Sequence, residues 1–181
     1  MSASIIVFMG VSGSGKTTIG RQVADRIGWP FTEGDAFHPP ANVAKMRAGV
    51  ALDDADRAPW LAAIGSWIDQ QIAAGERGVI TCSALKRRYR DEVRDSREGV
   101  VFVYLKVSRA ELERRVSSRH HEYMPASLLG SQLAALEEPA EDEPGIVTVA
   151  ADGPIAEVVD AVATRLIDDG IVETEHGAAG A

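Results

Sequence analysis

Cysteine occurs once in the 181 residues, at Cys82, so an internal disulfide framework is excluded. Its place in the apolar run Gly78-Val79-Ile80-Thr81-Cys82 makes it a small buried side chain. No uninterrupted apolar stretch approaches the roughly 20 residues that a membrane-spanning helix needs. The start, Met1-Ser2-Ala3-Ser4, has no charged leader region and its following apolar run is short, so a cytoplasmic chain without membrane attachment is expected. A basic excess is missing too. Lys and Arg number 19 against 27 Asp and Glu, for a net charge of −8, which argues against general nucleic-acid binding. No repeat and no composition break divides the chain, so one domain is expected over residues 1–168, with a flexible tail over 169–181.

Against these absences stands one dense motif. Gly10-Val11-Ser12-Gly13-Ser14-Gly15-Lys16-Thr17 fits G-x-x-x-x-G-K-[ST] and lies between the strand-like Ile5–Met9 and the helix-like stretch from Ile19 to Ile27. Its glycines let the backbone curl around a phosphate so that successive N–H groups point inward, at a helix N-terminus whose dipole favours an anion. Gly10, Ser12, Gly13, Ser14, Gly15, Lys16, Thr17 and Thr18 are therefore the expected nucleotide-binding residues. Lys16 would reach the β- and γ-phosphates, and the Thr17 hydroxyl would hold Mg²⁺.

Apolar runs at Ile5–Met9, Gly78–Cys82, Val100–Leu105 and Ile146–Ala150, with a short Phe31-Thr32 piece, alternate with helix-like stretches. That is the pattern of an α/β fold: a three-layer P-loop architecture with a parallel sheet of about five strands covered by helices. The last three long runs are near-continuous, as for strands covered on both faces. Trp60, Leu61, Ile64, Trp67, Ile68 and Ile72 form a helical core stripe. Ser108 to Glu111 reads as a capping box, and Ile155, Val158, Val159, Val162 and Leu166 mark a final amphipathic helix after Pro154. The acidic, proline-bounded stretch Glu137 to Gly145 reads as a solvated connection.

A P-loop serves motors, GTPases and small-molecule kinases alike. The chain is too short for a motor's extra machinery, and it lacks the Asn-Lys-x-Asp sequence that reads guanine. Arg114, Arg115, Arg119, His120 and His121 crowd the end of the helix after the fourth strand, where small kinases carry a mobile lid, here about residues 117–126. A phosphoryl acceptor would sit at the carboxyl ends of the strands. Two segments fall there, Glu33 to Arg47 and Ser83 to Asp91; the second is too cationic for a pure packing element in an acidic protein. A small, anionic, hydroxylated acceptor suits both.

The stretches G-V-S-G-S-G-K-T, G-D-x-F-H-P-x-x-N-x-x-K-M, L-x-D-x-D-R-x-P-W-L and C-S-A-L-K-x-x-Y-R-D resemble the signatures of gluconokinase, and Met124-Pro125-Ala126-Ser127-Leu128-Leu129-x-Ser131-Gln132, followed by Leu136-Glu137-Glu138-Pro139, is similar to that family's segment after the lid. The resemblance implies transfer of phosphate from ATP to D-gluconate with Mg²⁺, a fold close to shikimate and adenylate kinases, and a homodimer. One departure is Glu122, which stands where the family often has histidine, with His120 and His121 beside it. In this reading Lys16, Asp35 and Arg119 are catalytic, Asp35 orienting or deprotonating the attacking hydroxyl or, alternatively, holding a magnesium water, with Glu33 a further candidate there. His38, Lys45, Arg57, Lys86 and Arg90 engage the sugar acid beside Asp35. Arg115, Arg119 and Pro154 meet the nucleotide. The rival readings are a kinase for another hydroxylated acceptor, a shikimate-like acid or a nucleoside, and a nucleotide-dependent switch.

Overall fold

The computed structural model describes residues 4–118 and 127–173. Five parallel strands, β1 (Ile5–Met9), β2 (Phe31–Thr32), β3 (Gly78–Thr81), β4 (Val100–Lys106) and β5 (Ile146–Ala150), form one sheet in the order β2-β3-β1-β4-β5. β1 is central and fully buried, paired to β3 from Ile5 opposite Gly78 and to β4 from Ile5 opposite Val100. Its side chains alternate between two cores, as a strand's period of two requires. Ile6 and Phe8 point into the layer formed by α1 (Lys16–Ile27) and α7 (Ile155–Asp168). Ile5, Val7 and Met9 point into the layer formed by α3 (Asp54–Ala73) and α4 (Arg87–Arg94). The expected three-layer α/β architecture is present.

The remaining helices are α2 (Pro40–Arg47), α5 (Arg109–Ser117) and α6 (Leu128–Ala135). A third, smaller core joins Val11 of the phosphate-binding loop to Leu85, Leu112, Val116 and Leu129, so the loop is packed between α5 and α6 as well as on the sheet. Of the α3 stripe, Trp60, Leu61, Ile64 and Ile68 are buried, and Trp67 and Ile72 pack against them. No helix among the described residues is long and apolar enough to cross a membrane.

Four local expectations are corrected. β5 is an edge strand with Thr148 and Ala150 exposed, so helices cover only one of its faces. The capping box at α5 is half-made: Ser108 accepts from the Glu111 N–H, but the Glu111 carboxylate turns to Arg114 and Arg115. A complete box instead opens α3, where Asp53 and Asp56 each accept from the other's backbone N–H. The start of the tail is docked, with Val172 buried in the α1/α7 core, while residues 174–181 lie outside the described residues.

The fourth correction concerns the acidic connection, which is a clamp on α4. Glu143 is buried, and its carboxylate takes a two-pronged ion pair from the fully buried Arg90, Nε at 2.5 Å and Nη2 at 2.9 Å. Arg90 Nη1 also donates to the carbonyls of Ala84 and Leu85. The guanidinium beside it holds Glu143 below the usual carboxylate range. Glu137 accepts from the Arg87 N–H, and Glu138 pairs with Lys106. Removing one member of a buried pair strands the other charge. Glu143→Leu is expected to lower the unfolding free energy in urea by about 3–5 kcal/mol, and Arg90→Met added to it to recover most of that loss.

Candidate active site

The phosphate-binding loop connects β1 to α1. Gly15, at the helix N-cap, has φ of 94°, a left-handed conformation that glycine adopts without strain. The loop thus ends at the N-terminus of α1, whose first N–H groups lie at the carboxyl edge of the sheet. Lys16 crosses back over the loop, its Nζ donating to Val11 O at 3.0 Å. Burial pushes its pKa down, against the opposing pull of Asp35 and Glu33. Thr17 Oγ1 donates to Glu33 Oε2 at 2.6 Å, and the other Glu33 oxygen accepts from Thr81 Oγ1. A hydroxyl backed by a carboxylate is the hard-oxygen set that Mg²⁺ takes, which keeps most of its shell for water and phosphate; no self-sufficient metal cage exists among the described residues.

Gly34 determines where the next segment runs. Its N–H donates to Thr81 Oγ1 at 2.9 Å and its carbonyl accepts from the Trp60 indole at 2.9 Å. A Cβ here would sit inside the van der Waals radius of Thr81 O, so only glycine lets the chain pass this close to β3. The 3-10 turn Gly34–Phe37 that follows carries Asp35 to the site, with its carboxylate largely exposed to the cavity mouth. His38 stacks on Trp60, centroids 4.3 Å apart, with its imidazole only 4% exposed. Burial, and secondarily the charge of Arg57, lower the His38 pKa to about 4, so the ring is neutral near pH 7.

A single cavity of about 700 Å³ joins these parts, lined by the loop with Lys16 and Thr17 on one side and Asp35, His38 and Arg57 on the other. Val43, Met46 and Leu52 give it an apolar wall. Arg57 makes no ion pair among the described residues, because each neighbouring aspartate is already engaged. Asp53 caps α3, Asp54 accepts from Lys86, Arg88 and Tyr89, and Asp56 takes Lys45 at 2.7 Å. Arg57 lies instead against the face of Tyr89, 5.8 Å from its centroid.

Three expected acceptor residues are placed elsewhere. Arg90 is saturated by Glu143 and two carbonyls, and is structural. Lys45 and Lys86 are tied to Asp56 and Asp54, and neither lines the cavity. The cationic stretch after β3 is thus neutralised from α3: Arg88, Tyr89 and Lys86 share Asp54, and their hydrogen bonds hold its carboxyl well below its ordinary range. Residues not singled out as site members are Gln132, whose Oε1 accepts from the Ser12 N–H at 2.7 Å, and Thr81 behind Glu33. Gln132 is buried on the apolar helix α6, and in the sequence it stands only as a letter of the segment that resembles the family's stretch after the lid.

A second hollow opens on the other side of the loop, between Gly13, Thr18, Arg115 and the Asp152–Pro154 turn. Arg115 spans it, donating to Gly13 O at 3.3 Å and Ala151 O at 2.7 Å while Glu111 holds its Nε. Arg114 pairs with Glu111 on the surface. Arg119, His120, His121 and Glu122, with most of the lid expected over 117–126, lie outside the described residues.

A phosphate-binding loop facing a compact cavity with two carboxylates, Glu33 and Asp35, and a guanidinium, Arg57, that has no ion pair among the described residues defines a small-molecule P-loop kinase. The comparisons narrow this. A family model described as an AAA domain matches residues 5–139. Gluconokinase of Gluconobacter oxydans (strain 621H) is 55% identical over 141 residues, 78% of this chain and 79% of that protein. Thermosensitive gluconokinase of Escherichia coli K12 is 39% identical over 160 residues, covering 88% and 86%. A crystal structure of a gluconokinase from Sinorhizobium meliloti 1021 superposes with a TM-score of 0.79 at 47% identity, over 92% of this chain and 94% of that one. Shikimate kinase from Aquifex aeolicus, 15% identical with a TM-score of 0.59, shares the fold. The chain belongs to the gluconokinase family, and as a P-loop kinase it binds ATP.

The depressed His38 pKa has a consequence for stability. Between its ordinary value of 6.5 and about 4, the unfolded chain binds a proton at this position that the folded chain does not. The penalty is absent above pH 6.5, grows as pH falls, and is complete below about 4. Urea unfolding across this range should show a shallower loss of stability toward acid in His38→Gln than in the parent. Parallel curves would remove the burial account.

Proposed function

We propose that the chain transfers the γ-phosphoryl group of ATP to the primary hydroxyl of D-gluconate, giving 6-phospho-D-gluconate and ADP. The observation that carries this reading is the shared cavity: Arg57, a cation with no carboxylate partner among the described residues, faces the same space as Lys16 and Asp35. A bare guanidinium in a half-apolar pocket needs an anion, and its fork matches the two oxygens of a carboxylate.

Phosphoryl transfer asks the protein for alignment and charge neutralisation more than for covalent chemistry. In this reading the Gly10–Thr18 backbone grips the phosphates and Lys16 neutralises the β- and γ-oxygens. Thr17, supported by Glu33, would hold Mg²⁺, which supplies further charge neutralisation on the phosphates when bound. Asp35 accepts the proton of the attacking hydroxyl and aims its oxygen along the line to phosphorus. Arg57 anchors the far end of the acid, and His38 stands beside Asp35 on the cavity wall. Arg115 and Pro154 border the base, and Arg119 approaches the phosphates from the lid. The reading places the enzyme in the cytoplasm, where ATP is plentiful and the lone thiol of Cys82 stays reduced.

Two substitutions separate these roles. Arg57→Ala should raise KM for gluconate about 10- to 100-fold, the equivalent of a lost charge-assisted hydrogen bond of about 1.5–3 kcal/mol, with little change in KM for ATP. Equal changes in both constants would take Arg57 out of acceptor recognition. Asp35→Asn should keep ATP affinity, measured by calorimetry, while kcat falls on the order of 10²–10⁴-fold. A fully active Asp35→Asn enzyme refutes the orienting role.

A further inference from the structure

Asn42, on α2, is buried, and its amide nitrogen sits between two partners: Asp56 O at 2.7 Å and His38 Nδ1 at 3.3 Å. A backbone carbonyl only accepts, so the amide group facing Asp56 is the NH₂. One of its two protons goes to that carbonyl. The other is directed at His38 Nδ1, which must present a lone pair to receive it. A neutral imidazole carries one proton, so that proton sits on Nε2.

The ring's plane is set independently. His38 lies on Trp60 with an interplanar angle of 13°, and Trp60 is itself tethered through its indole N–H to Gly34 O. With plane and rotation both held, Nε2 stands 3.8 Å from Asp35 Oδ1. That is longer than a hydrogen bond. A donor and an acceptor therefore stand side by side on the cavity wall, close enough to share one ligand atom and too far apart to satisfy each other.

We propose that Asn42 is a positioning residue that holds His38 as the Nε2–H tautomer, so that His38 and Asp35 read one hydroxyl of the acceptor between them. The hydroxyl oxygen accepts from Nε2–H, and its proton is donated to the Asp35 carboxylate. Only a group that both accepts and donates fits this couple. A hydroxyl does; a keto oxygen lacks the proton for Asp35, and a deoxy carbon leaves both residues unpaired. The identity of the ligand rests on the gluconate reading above, whereas the tautomer does not.

The first measurement is long-range ¹H–¹⁵N correlation on the full-length, ¹⁵N-labelled protein without ligand, the His38 signals being those that vanish in His38→Gln. The expected result is a protonated Nε2 and an unprotonated Nδ1; a proton on Nδ1 overturns the proposal. The second compares variants in steady-state kinetics. Asn42→Asp replaces the donor at Nδ1 with an acceptor and should move the proton to Nδ1, raising KM for gluconate about tenfold or more while KM for ATP holds. His38→Gln, which keeps an N–H donor near the Nε2 position, should retain more activity than His38→Leu. An unchanged KM for gluconate in folded Asn42→Asp, or equal losses in His38→Gln and His38→Leu, overturns the hydroxyl couple. Should the protein phosphorylate no sugar acid at all, the ligand-free spectrum still decides the tautomer, so failure of the gluconate reading and failure of this one remain separate.

Discussion

The close passage of Gly34 over the end of β3 is the constraint on which the site depends. Three contacts converge on this one residue: its N–H and carbonyl are tied to Thr81 and Trp60, and the space of its absent side chain is filled by the Thr81 carbonyl. From that point the neighbours have little choice. Glu33, one residue before, is brought to Thr17 on the phosphate side. Asp35, one residue after, and His38, three further on, are delivered to the cavity wall. The two sides of the cavity that the proposed reaction uses are thus held in register by one glycine.

Charge is distributed with a similar economy. In a chain of net charge −8, almost every cation near the site is matched to a carboxylate. The first turn of α3 absorbs Lys45, Lys86 and Arg88 through Asp54 and Asp56, and the connection before β5 absorbs Arg87, Arg90 and Lys106. Among the described residues, the cations left facing the cavity are Lys16 and Arg57. Apart from the buried Arg90–Glu143 pair, exposed pairs of this kind add little to stability. Their larger effect is selective: by occupying the competing carboxylates they keep Arg57 available.

Much of this was legible in the sequence because it is local. The phosphate loop is eight consecutive residues, the strands are short apolar runs, and Asp35 follows a strand end. What was not legible depends on partners far apart in the chain. Arg90 and Glu143 are separated by 53 positions, and nothing near Arg90 announces that it will be buried; read locally, a cluster of cations after β3 looks like a ligand site. The same holds for Gln132, which meets the loop 120 positions away. Asn42 was visible only as a letter in a motif, since its role requires both the α3 backbone and the His38 ring to be in place. The edge position of β5 likewise follows from strand order, to which an apolar run is indifferent.

Arg115 ties two loops that the backbone leaves independent. One guanidinium bonds to Gly13 in the loop that cradles phosphate and to Ala151 in the turn beside the second hollow. The gap between those loops is therefore gauged by a side chain of fixed length, with Glu111 holding the gauge in place. The phosphate-binding loop and the turn after β5 thus form one jointed clasp, in which a shift of the turn is felt at the loop without passing through the sheet.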